Sequence, residues 1–480
     1  MILNKLRQRW SNPGGYHETL AIAFPLILST SSWSILMFVD RLFLTWFSED
    51  SIAASVPAGV VQFTAVSLFL GTAMYVSTFV AQYFGSNQKE KIGCAVWQGI
   101  YFSFSAMIFM LLLIPLAGPI FSLANHSESV QILERKYFVI LCYGGFFPVA
   151  SSAISSFFSG LGRTWTVMWV NFIGVGINII LDYALIFGKF GSPRLGIEGA
   201  AIASVIGMAF TFFLFLIFFL KPRYRLEFET WKGRNFNFDV LKQLIIYGLP
   251  NGIQFTISIF GYTFFIMMVG RYGLTELAAT NITLSINNLA FMPLVGLGIA
   301  VSVMVGQNLG NNNPQQAEYS VWSAFHIGFA YSALLAALYT LIPGFFLAPF
   351  GKELDPGRFK EITAYSIILL QFVAIYSMFD AVNFVFSAAI KGAGDTRFVM
   401  KLILLLSTTI LIIPAYLVVN VLELHLFYAW ACMTVYSLIT AIAFVIRFKQ
   451  GKWKKMLVIE PSETHFQSNH PNVDDSVGIV

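Results

Sequence analysis

The stretch Val-Ala-Gln-Tyr-Phe-Gly-Ser-Asn at residues 80–87 returns 225 residues later as Val-Gly-Gln-Asn-Leu-Gly-Asn-Asn at residues 305–312. The same offset lays Pro25 on Pro250, Ala53-Ala54 on Ala278-Ala279 and Val96-Trp97 on Val321-Trp322. One register kept over that distance indicates an internal duplication. Further on, Gly160-Leu-Gly-Arg-Thr164 pairs with Gly392-Ala-Gly-Asp-Thr396 at an offset of 232, so a few residues entered between the motifs. The chain divides into a first half, 1–221, a polar and basic linker, 222–239, a second half, 240–448, and a tail, 449–480, expected to be disordered.

The solvent of both halves is lipid. Of the 480 residues, 57% are hydrophobic and 11% charged, with a mean hydropathy of +0.72, whereas a soluble domain carries about 25% charged residues. A helix needs about 20 residues to cross a hydrocarbon core of ~30 Å. That ruler predicts twelve spans, near 18–46, 52–82, 93–123, 134–158, 165–188, 197–221, 240–269, 277–307, 318–346, 361–391, 397–420 and 424–448. The fold class is all-α integral membrane. Six spans per half is an even number, so the halves enter the membrane in the same direction. They are parallel repeats about an axis along the membrane normal, with a cleft between them as the natural binding site.

Most of the 29 Lys and Arg fall in the N-terminus, the linker, the even-to-odd loops and the tail. Lys221, Arg223, Arg225, Lys232, Arg234 and Lys242 surround the linker, and Arg447, Lys449, Lys452, Lys454 and Lys455 close the last span. By the positive-inside rule both termini are cytoplasmic. The net charge of +5 is then topology and calls for no nucleic acid, although a tail cluster can also meet anionic lipid. The tail beyond Pro461 is polar and aperiodic and reads as disordered. Lys5, Arg7 and Arg9 precede a long span rather than a short cleavable segment, so the first helix is expected to be retained.

Charges inside the spans are few, and each is costly there. In the fifth span Asn171, Gly174, Asn178 and Asp182 recur at steps of three and four, one helical face. Asp40 in the first span and Ser204 in the sixth can join them. Oxygen ligands of this kind suit a small hard cation, and two carboxylates side by side can instead share a proton. Asn178 and Asp182 can alternatively tie neighbouring helices together. In the tenth span Tyr376, Asp380, Asn383 and Ser387 form another stripe, as do Asn281, Ser285 and Asn288 in the eighth. With Gln254 and Ser258 they would line the second half of the cleft and suit an amphipathic cation drawn to Asp380 and able to lie on Tyr376. Pro25 and Pro250 sit inside the first helix of each half and can kink it. Pro25 lies 15 residues, roughly 22 Å, from Asp40, where it can serve as a hinge. Glu198 reads as an interfacial charge at the start of the sixth span, and Arg41 as a residue that either snorkels or pairs with an acid. Cys94, Cys142 and Cys432 lack ligand or disulfide spacing and read as packing residues. No Walker A, HExxH or GxSxG sequence supports enzymatic chemistry, and no cofactor is expected beyond a coupling ion.

These residues together resemble the MATE (multidrug and toxic compound extrusion) transporters of the MOP superfamily, over nearly all of residues 15–450. The resemblance rests on Val39-Asp40, on Gly162-Arg-Thr164 leading to Asn178-Ile-Ile-Leu-Asp182-Tyr, on Gly196-Ile-Glu-Gly-Ala-Ala-Ile-Ala-Ser204, on Gly248-Leu-Pro250 and on Lys391-Gly-Ala-Gly-Asp395-Thr. It implies a V-shaped pair of six-helix bundles in a prokaryotic inner membrane, a monomer exporting small organic cations in exchange for Na+ or H+ by alternating access. It also implies that Asp40, Asn178, Asp182 and Ser204 hold the coupling ion, as a metal site if that ion is Na+. Tyr376 and Asp380 look like the substrate-facing pair of the NorM-type branch. Ser258 departs from that branch, which carries a glutamate there, and this moves the expected coupling to the first half. The alternative is a flippase for lipid-linked saccharides of the same superfamily, which would want basic groups in the cavity. A channel suits a pair of bundles around a cleft less well than alternating access does.

Overall fold

The computed structural model describes residues 2–122, 126–351 and 356–460. Among these residues every regular element is helical. A short helix, α1 (Ile2–Ser11), precedes the first span, α2 (Tyr16–Phe47). Next come α3 (Glu49–Met74), α4 (Val76–Gly85), α5 (Glu90–Leu113), the short α6 (Ala117–Ser122), α7 (Glu128–Tyr143), α8 (Phe146–Gly160), α9 (Thr164–Phe187) and α10 (Ile197–Phe219). The linker holds α11 (Pro222–Glu227). The second half runs through α12 (Phe238–Val269), α13 (Leu274–Gly310), α14 (Pro314–Leu341), the short α15 (Pro343–Leu347), α16 (Pro356–Ala393), α17 (Thr396–Leu406), α18 (Ile413–Asn420) and α19 (Leu426–Lys449). Eleven stretches are long and apolar enough to cross a membrane. The twelfth is the pair α7 and α8, bent by 43°.

Local chemistry explains the breaks. Ser48 ends α2 and caps α3, its hydroxyl accepting from the Ser51 N–H at 3.1 Å, so one residue turns the first hairpin. Asn237 and Asn313 cap α12 and α14 in the same way. At the α7–α8 bend stands Gly144-Gly145. A Cβ on Gly144 would meet Val205 at 2.7 Å, and one on Gly145 would meet Met110 at 2.6 Å, so the pair lets the bent chain pass between α5 and α10. Between α17 and α18 the helix widens to π geometry over Ser407–Ile412, just ahead of Pro414, which has no N–H for the regular ladder.

The repeated motifs are the parts that join the halves. Gln82 donates from Nε2 to the Gly392 carbonyl at 3.0 Å, and its counterpart Gln307 donates to the Gly160 carbonyl at 2.7 Å. A Cβ on Gly85 would fall 2.0 Å from the Gln307 oxygen, and one on Gly310 would fall 2.3 Å from the Gln82 oxygen. Each contact in one half is answered by its twin in the other, as a twofold axis requires. The terminal asparagines of the motif, Asn87 (φ 59°) and Asn312 (φ 52°), both occupy the left-handed region, as do Gly162 (φ 74°) and Gly394 (φ 117°). Turn geometry is therefore what the repeats preserve.

The hydrogen bonds between the halves gather toward the end that carries the basic loops, here the basic end. Tyr75 donates to the Lys391 carbonyl (2.8 Å), Asn251 to the Gly71 carbonyl (2.6 Å) and Thr30 to the Met292 carbonyl (3.1 Å), while Ser67 pairs with Thr256 (2.9 Å). Gly252 lets α12 press onto α3, since a Cβ there would lie 2.2 Å from the Leu68 oxygen. Gly296 does the same for α13 on Ile27 of α2. On α13 the stripe Asn281, Ser285 and Asn288 continues through Met292 to Gly296. Its lower members touch the opposite half, and its upper three are exposed. The halves thus meet at the basic end and part above it, leaving a cleft between α2 and α3 on one side and α12 and α13 on the other.

Three segments at the basic end differ from expectation. Helix α1 was not legible as a span because it is too short. It lies on the second half, with the Arg9 guanidinium stacked 4.5 Å from the Tyr319 ring and bonded to Ser323. The linker, expected only as a polar and basic connection, is docked on the first half. Trp97 donates to the Thr230 carbonyl (2.6 Å), Gln98 donates to the Asn235 carbonyl (3.1 Å) and accepts from the Asn237 N–H (3.2 Å), Gly93 donates to the Phe228 carbonyl, and Tyr101 donates to the Arg234 carbonyl. Nor is the whole of 449–480 disordered. Trp453 stacks on Phe448 at 4.9 Å and is buried, and Val458 and Ile459 are buried beside it. The Val458 N–H donates to Gln82 Oε1 at 2.8 Å, and Gln88 donates to the Glu460 carbonyl. An apolar Trp-Val-Ile set gives residues 449–460 enough surface to pack; residues 461–480 lie outside the described residues.

Candidate functional site

Three groupings come out of the sequence-derived residues. The first lies inside the first half, where α9 packs between α2 and α10. Asn171 donates to Ser29 Oγ at 2.7 Å and ties α9 to α2. Gly174 sits against Thr211, whose hydroxyl oxygen a Cβ would approach to 2.2 Å, and Gly207 sits against Asn178, which a Cβ would approach to 3.0 Å. These small residues let the polar face of α9 enter the bundle. At its end stand Asp40 (9% exposed) and Asp182 (0%), close enough for each to feel the other's charge. Asn178 is buried one turn before Asp182, and Ser204 is buried on α10, three residues before Gly207. Tyr137 of α7 closes the group, near both acids; no periodicity in its own helix marked it.

The donor count at this group decides its chemistry. Among the described residues, Asp40 Oδ1, both carboxyl oxygens of Asp182 and the Asn178 amide oxygen are buried and accept from no donor. Two ionised carboxylates facing each other in a low dielectric repel strongly and lose their water. A hydrogen bond between them would require that one carry a proton. A small cation coordinated by the four free oxygens would relieve the same repulsion. Arg41, beside Asp40, is exposed, makes no ion pair among the described residues and lies near Tyr262 of the opposite half, so it does not neutralise the acids directly.

The second grouping lies inside the second half. Ser437 of α19 donates to Asp380 Oδ1 at 2.7 Å, and the Asn383 amide donates to the Ser437 hydroxyl and carbonyl at 3.1 Å. Tyr376 stacks on Trp430 and is 1% exposed, its hydroxyl without a partner. The expectation that a ligand in the cleft lies on Tyr376 is therefore corrected for this state. The ring is covered by α19, because the stripe it shares with Asp380 and Asn383 faces into the bundle. Asn281 does not join these residues; it stands exposed on α13 in the upper cleft.

The third grouping joins the expected Gln254 and Ser258 to a residue that was missed, Lys391. Gln254 and Ser258 of α12 bond to each other, Nε2 to Oγ at 3.1 Å, and Gln254 Oε1 accepts from Lys391 Nζ at 3.3 Å. The signal was present, since Lys391 follows Ser387 by four residues on the polar stripe of α16. Glu198 pairs with Lys136 at 2.7 Å, away from all three groups, as an interfacial charge would. The three cysteines are free.

Known proteins share this plan. The MatE family profile matches residues 25–184 and 250–417. The chain is similar to the multidrug resistance protein NorM of Burkholderia vietnamiensis, 27% identical over 384 residues, 80% of this chain and 82% of that one. It is also similar to the probable multidrug resistance protein NorM of Thermotoga maritima, 22% identical over 92% of this chain and 94% of that one. Among solved structures, a MOP superfamily transporter from Pyrococcus furiosus superposes with a TM-score of 0.83 at 19% identity, over 94% of this chain and 99% of that one. The eukaryotic MATE transporter AtDTX14 gives 0.81 at 22%, over 92% and 96%. With a family match in each half and the two-bundle architecture of those structures, the chain belongs to the MatE family of membrane transporters and is not an enzyme.

Proposed function

We propose that the protein is an antiporter of a bacterial inner membrane that exports small organic cations in exchange for Na+ or H+, with its basic end in the cytoplasm. One observation carries the coupling site: four buried oxygens of Asp40, Asn178 and Asp182 that no protein donor satisfies. Such a set is stable in lipid only with a cation or proton among the carboxylates. Asp40 belongs to α2, which also lines the contact with α13. Loading or emptying the site therefore acts on a helix that the opposite half touches at Thr30 and Gly296. That link lets ion binding bias which end of the cleft is closed. The multidrug names of the NorM relatives support the substrate class, and the basic loops support the orientation.

The test is purified protein in liposomes, assayed with a fluorescent organic cation under separate sodium and pH gradients. One gradient should drive uptake, and Asp40→Asn and Asp182→Asn should each abolish that dependence while the protein still inserts and elutes as folded. Wild-type coupling in both variants would refute the site, and uptake indifferent to both gradients would refute the antiport.

A further inference from the structure

We infer that the floor of the cleft holds a subsite for the carboxylate of an anionic or zwitterionic substrate, with Lys391 supplying the charge. The inference deepens the reading of the protein as an exporter of organic molecules and rests on it. The backbone of Lys391 belongs to the closed floor, where its carbonyl accepts from Tyr75 and that of Gly392 accepts from Gln82. Its side chain leaves the floor toward α12 and reaches Gln254 Oε1 at 3.3 Å.

That amide cannot neutralise an ammonium. Among the described residues no carboxylate oxygen comes within 4.0 Å of Lys391 Nζ. Asp395, the nearest acid along the chain, is held by the Arg447 guanidinium at 2.6 and 2.8 Å. An ammonium has three donors and Gln254 occupies one. The amide is fixed with its oxygen on Lys391, because its Nε2 donates to Ser258 Oγ and that hydroxyl donates to the Gln254 carbonyl. The remaining donors and the charge are left for a ligand. A carboxylate provides both lone pairs and countercharge.

The acids are elsewhere. Asp40 and Asp182 are withdrawn into the first half, and Asp380 is turned to Ser437. Asp380 and Lys391 are eleven residues apart on α16, about 16 Å at 1.5 Å per residue. The positive subsite thus stands apart from the buried acid of the same half.

A matched pair of dyes separates this subsite from a structural pin. Rhodamine 110 carries a free carboxyl, and rhodamine 123 is its methyl ester. Their binding is read by fluorescence polarisation with the full chain in detergent, and their transport in liposomes. A charge-assisted hydrogen bond of this kind predicts that Lys391→Gln weakens rhodamine 110 about 10- to 100-fold. Rhodamine 123 should shift less than about twofold, and Lys391→Arg should keep both dyes near wild type. Gln254→Glu supplies an internal carboxylate to Lys391 without stranding it, so it should lose the acid and keep the ester. Equal losses for both dyes, or no loss of the acid in either variant, overturn the proposal. Wild-type protein that moves the ester but does not bind the acid overturns the subsite alone; failure to move any organic ion overturns the exporter reading with it.

Discussion

Replacing Gln82 by leucine should tip the molecule away from the state closed at the basic end. The side chain is fully buried, and both ends of its amide are used: Nε2 on the Gly392 carbonyl at 3.0 Å and Oε1 on the Val458 N–H at 2.8 Å. Leucine has a similar volume, so packing changes little, but two main-chain groups lose their partners in a dry contact. Each stranded group costs about 1–3 kcal/mol, so the pair is worth roughly 2–6 kcal/mol. Opening the basic end wets those groups, so the cost falls on the closed state alone. At about 1.4 kcal/mol per decade, the open-to-closed ratio should rise by roughly 30-fold at the low end and about 20,000-fold at the high end. Gln307→Leu breaks one bond, to the Gly160 carbonyl at 2.7 Å, at a partly exposed position, and should give only about fivefold. Spin labels at the exposed positions Lys91 and Gln315, one per half, report the separation by double electron–electron resonance. An unchanged distance distribution in Gln82→Leu, or an equal response from Gln307→Leu, would refute the reasoning.

Other outcomes follow from the same contacts. Gly252→Val should push α12 off α3, because its Cβ alone would fall 2.2 Å from the Leu68 oxygen; the variant should also favour opening at the basic end in the spin-label assay, or fail to reach the membrane. Ser437→Ala removes the donor to Asp380 and should lower thermal stability by about 1–3 kcal/mol, while Asp380→Asn should weaken cationic substrates more than neutral ones in binding titrations. Ser258→Ala should leave the ion dependence of transport unchanged, since that hydroxyl serves Gln254 and not the Asp40–Asp182 group; loss of ion dependence would move the coupling to the second half.

The duplication was legible because its motif performs one job twice. Gln82 and Gln307, Gly85 and Gly310, and Asn87 and Asn312 keep identity or type since the crossing of the halves and a left-handed turn allow little else. The face of α9 was legible for a related reason, as a helix that turns Asn171, Asn178 and Asp182 toward its neighbours has to present them at helical spacing. What escaped was tertiary. Nothing in the sequence of the α16 stripe tells whether Tyr376 and Asp380 meet a cleft or α19, since the choice depends on the rotation of one helix against its neighbours. Lys391 was hidden inside a glycine motif whose turn seemed reason enough for it. Residues 449–460 escaped because their apolar members, Trp453 and the run Met456-Leu457-Val458-Ile459, are too few to show a period beside the lysines that precede them.

The docked linker bears on how many chains make one transporter. Gln98 holds the chain up to Asn237, and α12 begins at Phe238, so the second half hangs from the first on a joint with almost no slack. Two halves built from a duplicated pattern are the parts most prone to exchange partners with another copy, and a long free tether would give them the reach to do so. A tether pinned to α5 denies that reach. Each first half therefore finds its mate in the same polypeptide, at an effective concentration that no second molecule in the membrane can match.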